Sequence, residues 1–363
     1  MKAKGGMIVE RVYTKNGYSC RVVYGETFAT QLKQEPVTNK HVVIVTNQRY
    51  YDRFSQKLLQ LFSVHSEVDW YICTNSAHCN NLDELNGLLS FAAKFPQEAD
   101  YLFVAFGNEG VMELMGFFQK TTVLQGELWC LPVSIRSLAK ALTLSNTIEK
   151  LNNQPVMEIQ ALGSQIIFDQ TLTNNQSEGK MVDLLWFLQC GIVRDHDFLK
   201  LLYQNYPNQK KLLSQSFNGL IAPLINYYEA DSEVIETYGQ LFERAFYQTQ
   251  TSHLLSDHMK RLLGILLQLK WNDEIEPLTF NYRNFLIWLD YLGFPIELPD
   301  ELLISTYVEQ MLQLAKKSKK IVVLEKIGII KEHRNPTEKE LLATLESYKK
   351  IVQEVKGEHN ENI

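Results

Sequence analysis

Up to about residue 172 this chain alternates short β-branched or aromatic runs with amphipathic stretches; beyond that point the apolar spacing is helical almost throughout. No other feature limits the fold as much. Alternation of that kind builds parallel βαβ units, whereas sustained helical spacing builds packed helices. Strands are expected at 18–24, 41–46, 69–74, 101–106, 128–133 and 165–172, with helices at 51–62, 82–94, 111–121 and 137–144. Further helices are expected at 181–191, 197–206, 210–227, 232–248, 252–270, 282–292, 299–314 and 337–355, with one strand-like exception at 321–324. The run Asn174-Asn-Gln-Ser-Glu-Gly179 is polar and turn-rich, and it reads as a linker. The expectation is therefore an α/β domain over 1–178, Rossmann-like with a mostly parallel sheet, followed by an all-α domain over 179–363.

Composition excludes several classes. With 363 residues of which 45% are apolar, the chain can build two real cores. No apolar run approaches the roughly 18 residues of a membrane span. The start, Met1-Lys-Ala-Lys-Gly-Gly-Met-Ile-Val9, has no leader-like apolar region. The five cysteines, Cys20, Cys73, Cys79, Cys130 and Cys190, are scattered and odd in number, which fits reduced thiols in a cytoplasmic protein. A net charge of −6 argues against nucleic acid as a partner.

The chemistry-bearing segments are few. After the run 101–106 comes Gly107-Asn108-Glu109-Gly110, which reads as a turn opening a helix, the arrangement that cradles a pyrophosphate. Glu109 stands where an anion would bind. A carboxylate there stabilises the positive end of the helix but repels phosphate, so Glu109 is expected to be solvated and the turn not to hold a dinucleotide. The strand ends Thr46-Asn47-Gln48 and Thr74-Asn75-Ser76 place small polar residues at the sheet's carboxyl edge, where such sheets bind ligands. His253 and Asp257 are four apart on an expected helix and could ligate a metal with Glu243 or His196; exposed polar residues explain the same letters. Glu236 and Glu243 read as a solubility face. Lys316, Lys317, Lys319 and Lys320 read either as a phosphate clamp or as a solvated basic run beside a strand.

Landmarks taken in order resemble the 3-dehydroquinate synthase family of sugar-phosphate cyclases and, more distantly, the iron-dependent alcohol and glycerol dehydrogenases. The resemblance runs from Tyr18 to about Gly328. It is carried by Tyr24-Gly25-Glu26, Gly116-Phe117, Gln125-Gly126 with Leu131-Pro132-Val133-Ser134-Ile135, and Cys190-Gly191-Ile-Val-Arg-Asp195 with Phe198. Gly293-Phe-Pro295 with Leu298-Pro299, then Lys316-Lys317 and Ile327-Gly328, complete it.

The resemblance implies a zinc ion held by one glutamate and two histidines, with NAD as transient oxidant. This chain departs at those stations. Aligned on Gly191, the glutamate ligand falls on Trp186 and a lysine three residues later on Gln189; the histidines fall on Gln240 and Asp257. The glycine turn is Gly107–Gly110, the aspartate after it is Glu113, and the catalytic aspartate falls on Lys140. The substrate-binding Gly-Gly-Lys and Gly-Lys-Asn segments have no counterpart in 142–153, and clamp positions fall on Gly219, Asn226 and Glu233. Trp186 is expected to fill the space of the metal and its ligand. The resulting reading is a degenerate member without zinc or NAD, acting by binding or regulation as a homodimer or with a protein partner. Alternatives are a rebuilt cyclase-like enzyme (a carbon–oxygen lyase, if active) and a sensor of a small phosphorylated ligand.

Overall fold

The computed structural model describes residues 9–62, 66–150, 154–173, 177–317 and 319–361. The expected linker begins in residues outside these. The chain divides into two compact units, Met1–Asn175 with Tyr228–Ala230, and Gln176–Tyr227 with Asp231–Ile363. Among the described residues no helix is long and apolar enough to cross a membrane.

Unit 1 is built on a seven-stranded sheet. Its strands are β1 (Val9–Lys15), β2 (Tyr18–Tyr24), β3 (His41–Asn47), β4 (Val68–Cys73), β5 (Tyr101–Gly107), β6 (Gly126–Pro132) and β9 (Gln165–Phe168), in the order β1-β2-β9-β6-β5-β3-β4. Only the β1–β2 pairing is antiparallel. Helices α1 (Phe28–Gln34), α2 (Gln48–Phe62), α3 (Leu82–Ala92), α4 (Glu109–Thr121) and α5 (Ile135–Ala141) connect the strands. Every residue of β5 is buried, as suits a central strand covered on both faces. The six expected strands all form, although the last ends at Phe168, where the Asp169 carboxylate accepts from the Thr171 amide and opens a short 3-10 turn.

Two features of unit 1 escaped the sequence reading. β1 lies at the sheet edge with Val12 exposed, so its apolar signal is diluted. The hairpin β7 (Ser145–Lys150) and β8 (Gln154–Gln160) pairs two largely polar strands, with β8 exposed nearly throughout.

Unit 2 contains helices α6 (Ser177–Arg194), α7 (His196–Asn205), α8 (Gln209–Ser214), α9 (Asn218–Thr237), α10 (Gln240–Tyr247), α11 (Asp257–Ile275), α12 (Tyr282–Tyr291), α13 (Ile304–Ala315) and α14 (Glu338–Glu361). Between the last two runs an antiparallel hairpin, β10 (Ile321–Lys326) and β11 (Ile329–Arg334). Only its first strand was expected.

Buried α11 is the organising helix. Two amides on it satisfy backbone groups of other elements, as buried polar groups require. Asn272 Nδ2 donates to the Leu324 carbonyl at 3.0 Å and Gln268 Nε2 to the Val322 carbonyl at 3.1 Å. Gln268 Oε1 accepts from the Gly239 amide at 2.6 Å. Gly239, at φ +86°, opens α10, and a β-carbon there would lie 2.7 Å from the Ile265 nitrogen. A β-carbon on Gly264 would lie 2.6 Å from the Gly239 carbonyl and 2.9 Å from Glu243 Cβ. Two glycines thus let α10 and α11 touch backbone to backbone, which brings Glu243 over the face of α11.

Candidate functional site

In unit 1 the glycine turn forms as expected, with β5 ending at Gly107 and α4 starting at Glu109. Two of its amides are engaged by asparagine side chains. Asn108 caps α4: its side chain accepts from the Val111 amide at 3.2 Å, while its own amide donates to Asn47 Oδ1 at 3.1 Å. Asn108 Nδ2 donates to the Ser76 carbonyl at 2.8 Å, and Asn47 Nδ2 to the Thr74 carbonyl at 2.7 Å. The small polar residues at the strand ends therefore bind one another. The segment after β4 also closes over the turn, since a β-carbon on Gly110 would lie 2.6 Å from the Ala77 carbonyl and 2.8 Å from Cys79 Sγ.

Glu109 departs from expectation. Its carboxylate is only 17% exposed and lies 3.5 Å from Arg136 Nε. It is a partly buried ion pair rather than a solvated cap, because α5 delivers Arg136 alongside.

Glu113, one turn further along α4, meets Lys140 of α5 at 2.7 Å. The same carboxylate accepts from Asn80 Nδ2 at 2.9 Å and Thr147 Oγ1 at 3.0 Å. Burial pushes the Glu113 carboxyl above its ordinary range, and Lys140 opposes that shift. A half-buried lysine at position 140 thus makes a counter-ion for the buried carboxylate at 113. Sequence spacing gave no signal that these two positions meet.

Unit 2 brings Trp186 and Gln189 of α6 together with three residues whose part the sequence reading missed. Arg261 Nη2 donates to Gln189 Oε1 at 3.0 Å and to Glu236 Oε2 at 3.4 Å; Nη1 donates to Glu243 Oε2 at 3.2 Å. The guanidinium lies 5.3 Å from the centre of the Trp186 ring, and the indole N–H donates to Glu236 Oε1 at 3.2 Å. Gln189 Nε2 donates to the Ile235 and Tyr238 carbonyls at 3.2 and 2.9 Å. The side chains of Glu236 and Glu243 are 19% and 15% exposed, so they form the wall of a buried charge cluster and not a solubility face. Arg261 sits one helical turn after Asp257, a spacing that could have drawn attention to it.

The weak metal set is dispersed. Asp257 accepts from Tyr247 Oη at 2.9 Å and pairs with Lys260 at 3.5 Å, Glu243 is held by Arg261, and exposed His253 contacts the Gln250 carbonyl. Among the described residues the one group of three possible ligands within mutual reach is His41, Glu67 and Asp69, where His41 Nε2 lies 2.6 Å from Asp69. Gln240 stands at the first position of α10. Lys316 and Lys317 are exposed in the turn after α13, and Lys319 pairs with Glu233.

No family model matches this chain, and neither does any curated protein sequence. Solved structures do. The chain is similar to 2-deoxy-scyllo-inosose synthase, solved with carbaglucose-6-phosphate, NAD+ and Co2+, at TM-score 0.75 and 10% identity over 92% of this chain and 98% of that one. It is also similar to the 2-epi-5-epi-valiolone synthase ValA of Streptomyces hygroscopicus subsp. jinggangensis 5008, with NAD+ and Zn2+ bound, at TM-score 0.76 and 13% identity over 93% and 99%. The glycerol dehydrogenase of Schizosaccharomyces pombe matches at TM-score 0.60 and 12% identity over 92% and 88%. The fold is thus that of the dehydroquinate synthase-like sugar-phosphate cyclases: a Rossmann-like domain with a mostly parallel sheet, then a helical region.

The residues at the stations that the resemblance assigns to NAD and zinc present these donors. A pyrophosphate at the turn would meet the Glu109 carboxylate and amides already spent on Asn47 and Asn108, under the Ala77 carbonyl. At the stations of the zinc ligands stand an indole, two amides and one carboxylate, with the Arg261 guanidinium against Trp186 and Gln189 and the Asp257 carboxylate taken by Tyr247 and Lys260.

Proposed function

We propose that this chain is a non-catalytic relative of the sugar-phosphate cyclases that keeps their fold and works by binding, without zinc or NAD. The observation that supports the reading is the start of α4, where Asn47 and Asn108 engage the Asn108 and Val111 amides and the segment ending at Cys79 crowds Gly110. The Glu113–Lys140 pair supports it, because a lysine in salt bridge with a buried carboxylate is occupied as a counter-ion and not as a base. Five buried, unpaired cysteines support a reducing, cytoplasmic setting. A homodimer or a complex with another protein is the proposed working form. Exposed Lys316 and Lys317 are the proposed contact for any phosphorylated ligand. The decisive measurement is metal analysis of the purified protein together with an NAD+ titration. Sub-stoichiometric zinc and no saturable NAD+ binding are expected; stoichiometric zinc with bound NAD would overturn the reading.

A further inference from the structure

Unit 2 contains a charge cluster that the reading above does not require. Two carboxylates on different helices, Glu236 of α9 and Glu243 of α10, converge with the Gln189 carbonyl oxygen and the face of the Trp186 ring. Three oxygen acceptors and an aromatic face are the elements that recognise a planar cation. The group they surround is the Arg261 guanidinium, itself 10% exposed, which lies 3.4 Å from Glu236, 3.2 Å from Glu243, 3.0 Å from Gln189 and 5.3 Å from the Trp186 ring centre.

We infer that unit 2 holds a cation-recognition site and that its resident cation is the guanidinium of Arg261, tethered by α11, in place of a separate ion. Two of the acceptors have anchors besides Arg261: Gln189 donates to the Ile235 and Tyr238 carbonyls, and Glu236 accepts from the Trp186 indole, while the backbone of Glu243 is placed by the glycine-mediated contact of α10 with α11. Such a preformed shell recognises the free cation once the tether is removed. The class of ligand is guanidinium-like: a planar cation with several N–H donors, for which sodium is no substitute.

The test uses the full chain. Thermal melting of Arg261→Ala is followed against guanidinium chloride in the low-millimolar range, with sodium chloride at matched ionic strength. The variant is expected to melt well below the natural protein and to rise saturably with guanidinium but not with sodium; the natural protein is expected to show no rise. A folded Arg261→Ala variant with no saturable response would overturn the inference. If the alanine variant does not fold, Arg261→Met is compared with the same change carrying Glu236→Gln and Glu243→Gln. The triple variant is expected to recover most of the lost melting temperature, because the uncompensated charges are gone; equal loss in both would show that Arg261 acts by packing alone and overturn the inference. Stabilisation of the natural protein by zinc(II), abolished in Glu243→Gln, would also overturn it. This test is separate from the zinc and NAD+ measurement, since the arginine site stands or falls without reference to the glycine turn.

Discussion

The two units close their polar centres in different ways. In unit 1 one lysine meets one carboxylate, and Asn80 and Thr147 supply the remaining hydrogen bonds to Glu113. In unit 2 one arginine serves two carboxylates and an amide oxygen. A lysine ammonium is a compact point charge with freely rotating donors, whereas the planar guanidinium fork presents its donors in fixed directions. The difference says that unit 1 is balanced pairwise while unit 2 depends on one residue.

The largest expected effect tests the aromatic wall of the unit 2 cluster. Trp186 is 8% exposed, and Trp186→Ala removes both its packing and the indole donor to Glu236. A loss of about 3–5 kcal/mol is expected from denaturant unfolding. A loss near that of a surface residue would mean that the ring is not a wall of the cluster.

Next comes Lys140→Met in unit 1, which strands Glu113 buried without a counter-ion. A loss of about 3 kcal/mol is expected. Glu113→Gln should cost less, because Lys140, 22% exposed, can turn its ammonium toward water. Similar losses for the two substitutions, measured by the same unfolding curves, would break the pairwise picture.

Gly264→Ala probes the contact that positions Glu243. Its β-carbon must displace the Gly239 carbonyl and Glu243 Cβ, so α10 and α11 have to part. About 1–3 kcal/mol is expected, with faster amide exchange in α10 than in α4. Unchanged exchange in α10 would remove the glycines from the account of the site.

Legibility followed burial. Strands such as β3 and β5, buried along nearly their whole length, announce themselves as continuous apolar runs, and their positions in the sequence match the structure within a residue or two. The edge strand β1 and the polar hairpin β7–β8 expose one face or more, so their letters resemble those of loops. At the sites, the departures at Trp186, Gln189 and Lys140 were visible as residue types, but their partners were not. Glu113 and Lys140 are far apart in sequence, and the link between Glu236, Glu243 and Arg261 runs through three helices. Glu109 and Glu243 looked solvated because a charged letter on an amphipathic helix usually is; only the neighbouring helix supplies the arginine that changes the answer.

The smallest effect is a difference in acid response. Burial holds the Glu113 carboxyl above its ordinary 4.5, so the folded form binds that proton more readily than the unfolded chain. Its contribution to unit 1 therefore improves as pH falls toward 4.5 and declines as pH rises through the window above it. Three unit 2 carboxyls behave in the opposite sense. Burial alone would raise Asp195, Glu274 and Glu340, but hydrogen bonds outweigh it: from Tyr227 and the Phe198 and Asp197 amides to the first, from Lys270 and Ser347 to the second, and from the Thr337 amide and Arg334 to the third. Their stabilisation is present above the ordinary values of 3.8 and 4.5 and is lost as pH falls below them. Amide exchange followed while pH is lowered through the carboxyl range should thus show unit 2 loosening first, with α7 and the start of α14 leading, since Asp195 and Glu340 anchor them. These groups are partly solvent-screened, so the shift is expected to be modest. Unit 1 loosening first would mean that the Lys140 ion pair, rather than burial, governs Glu113, and that the two polar centres respond to acid in the same direction.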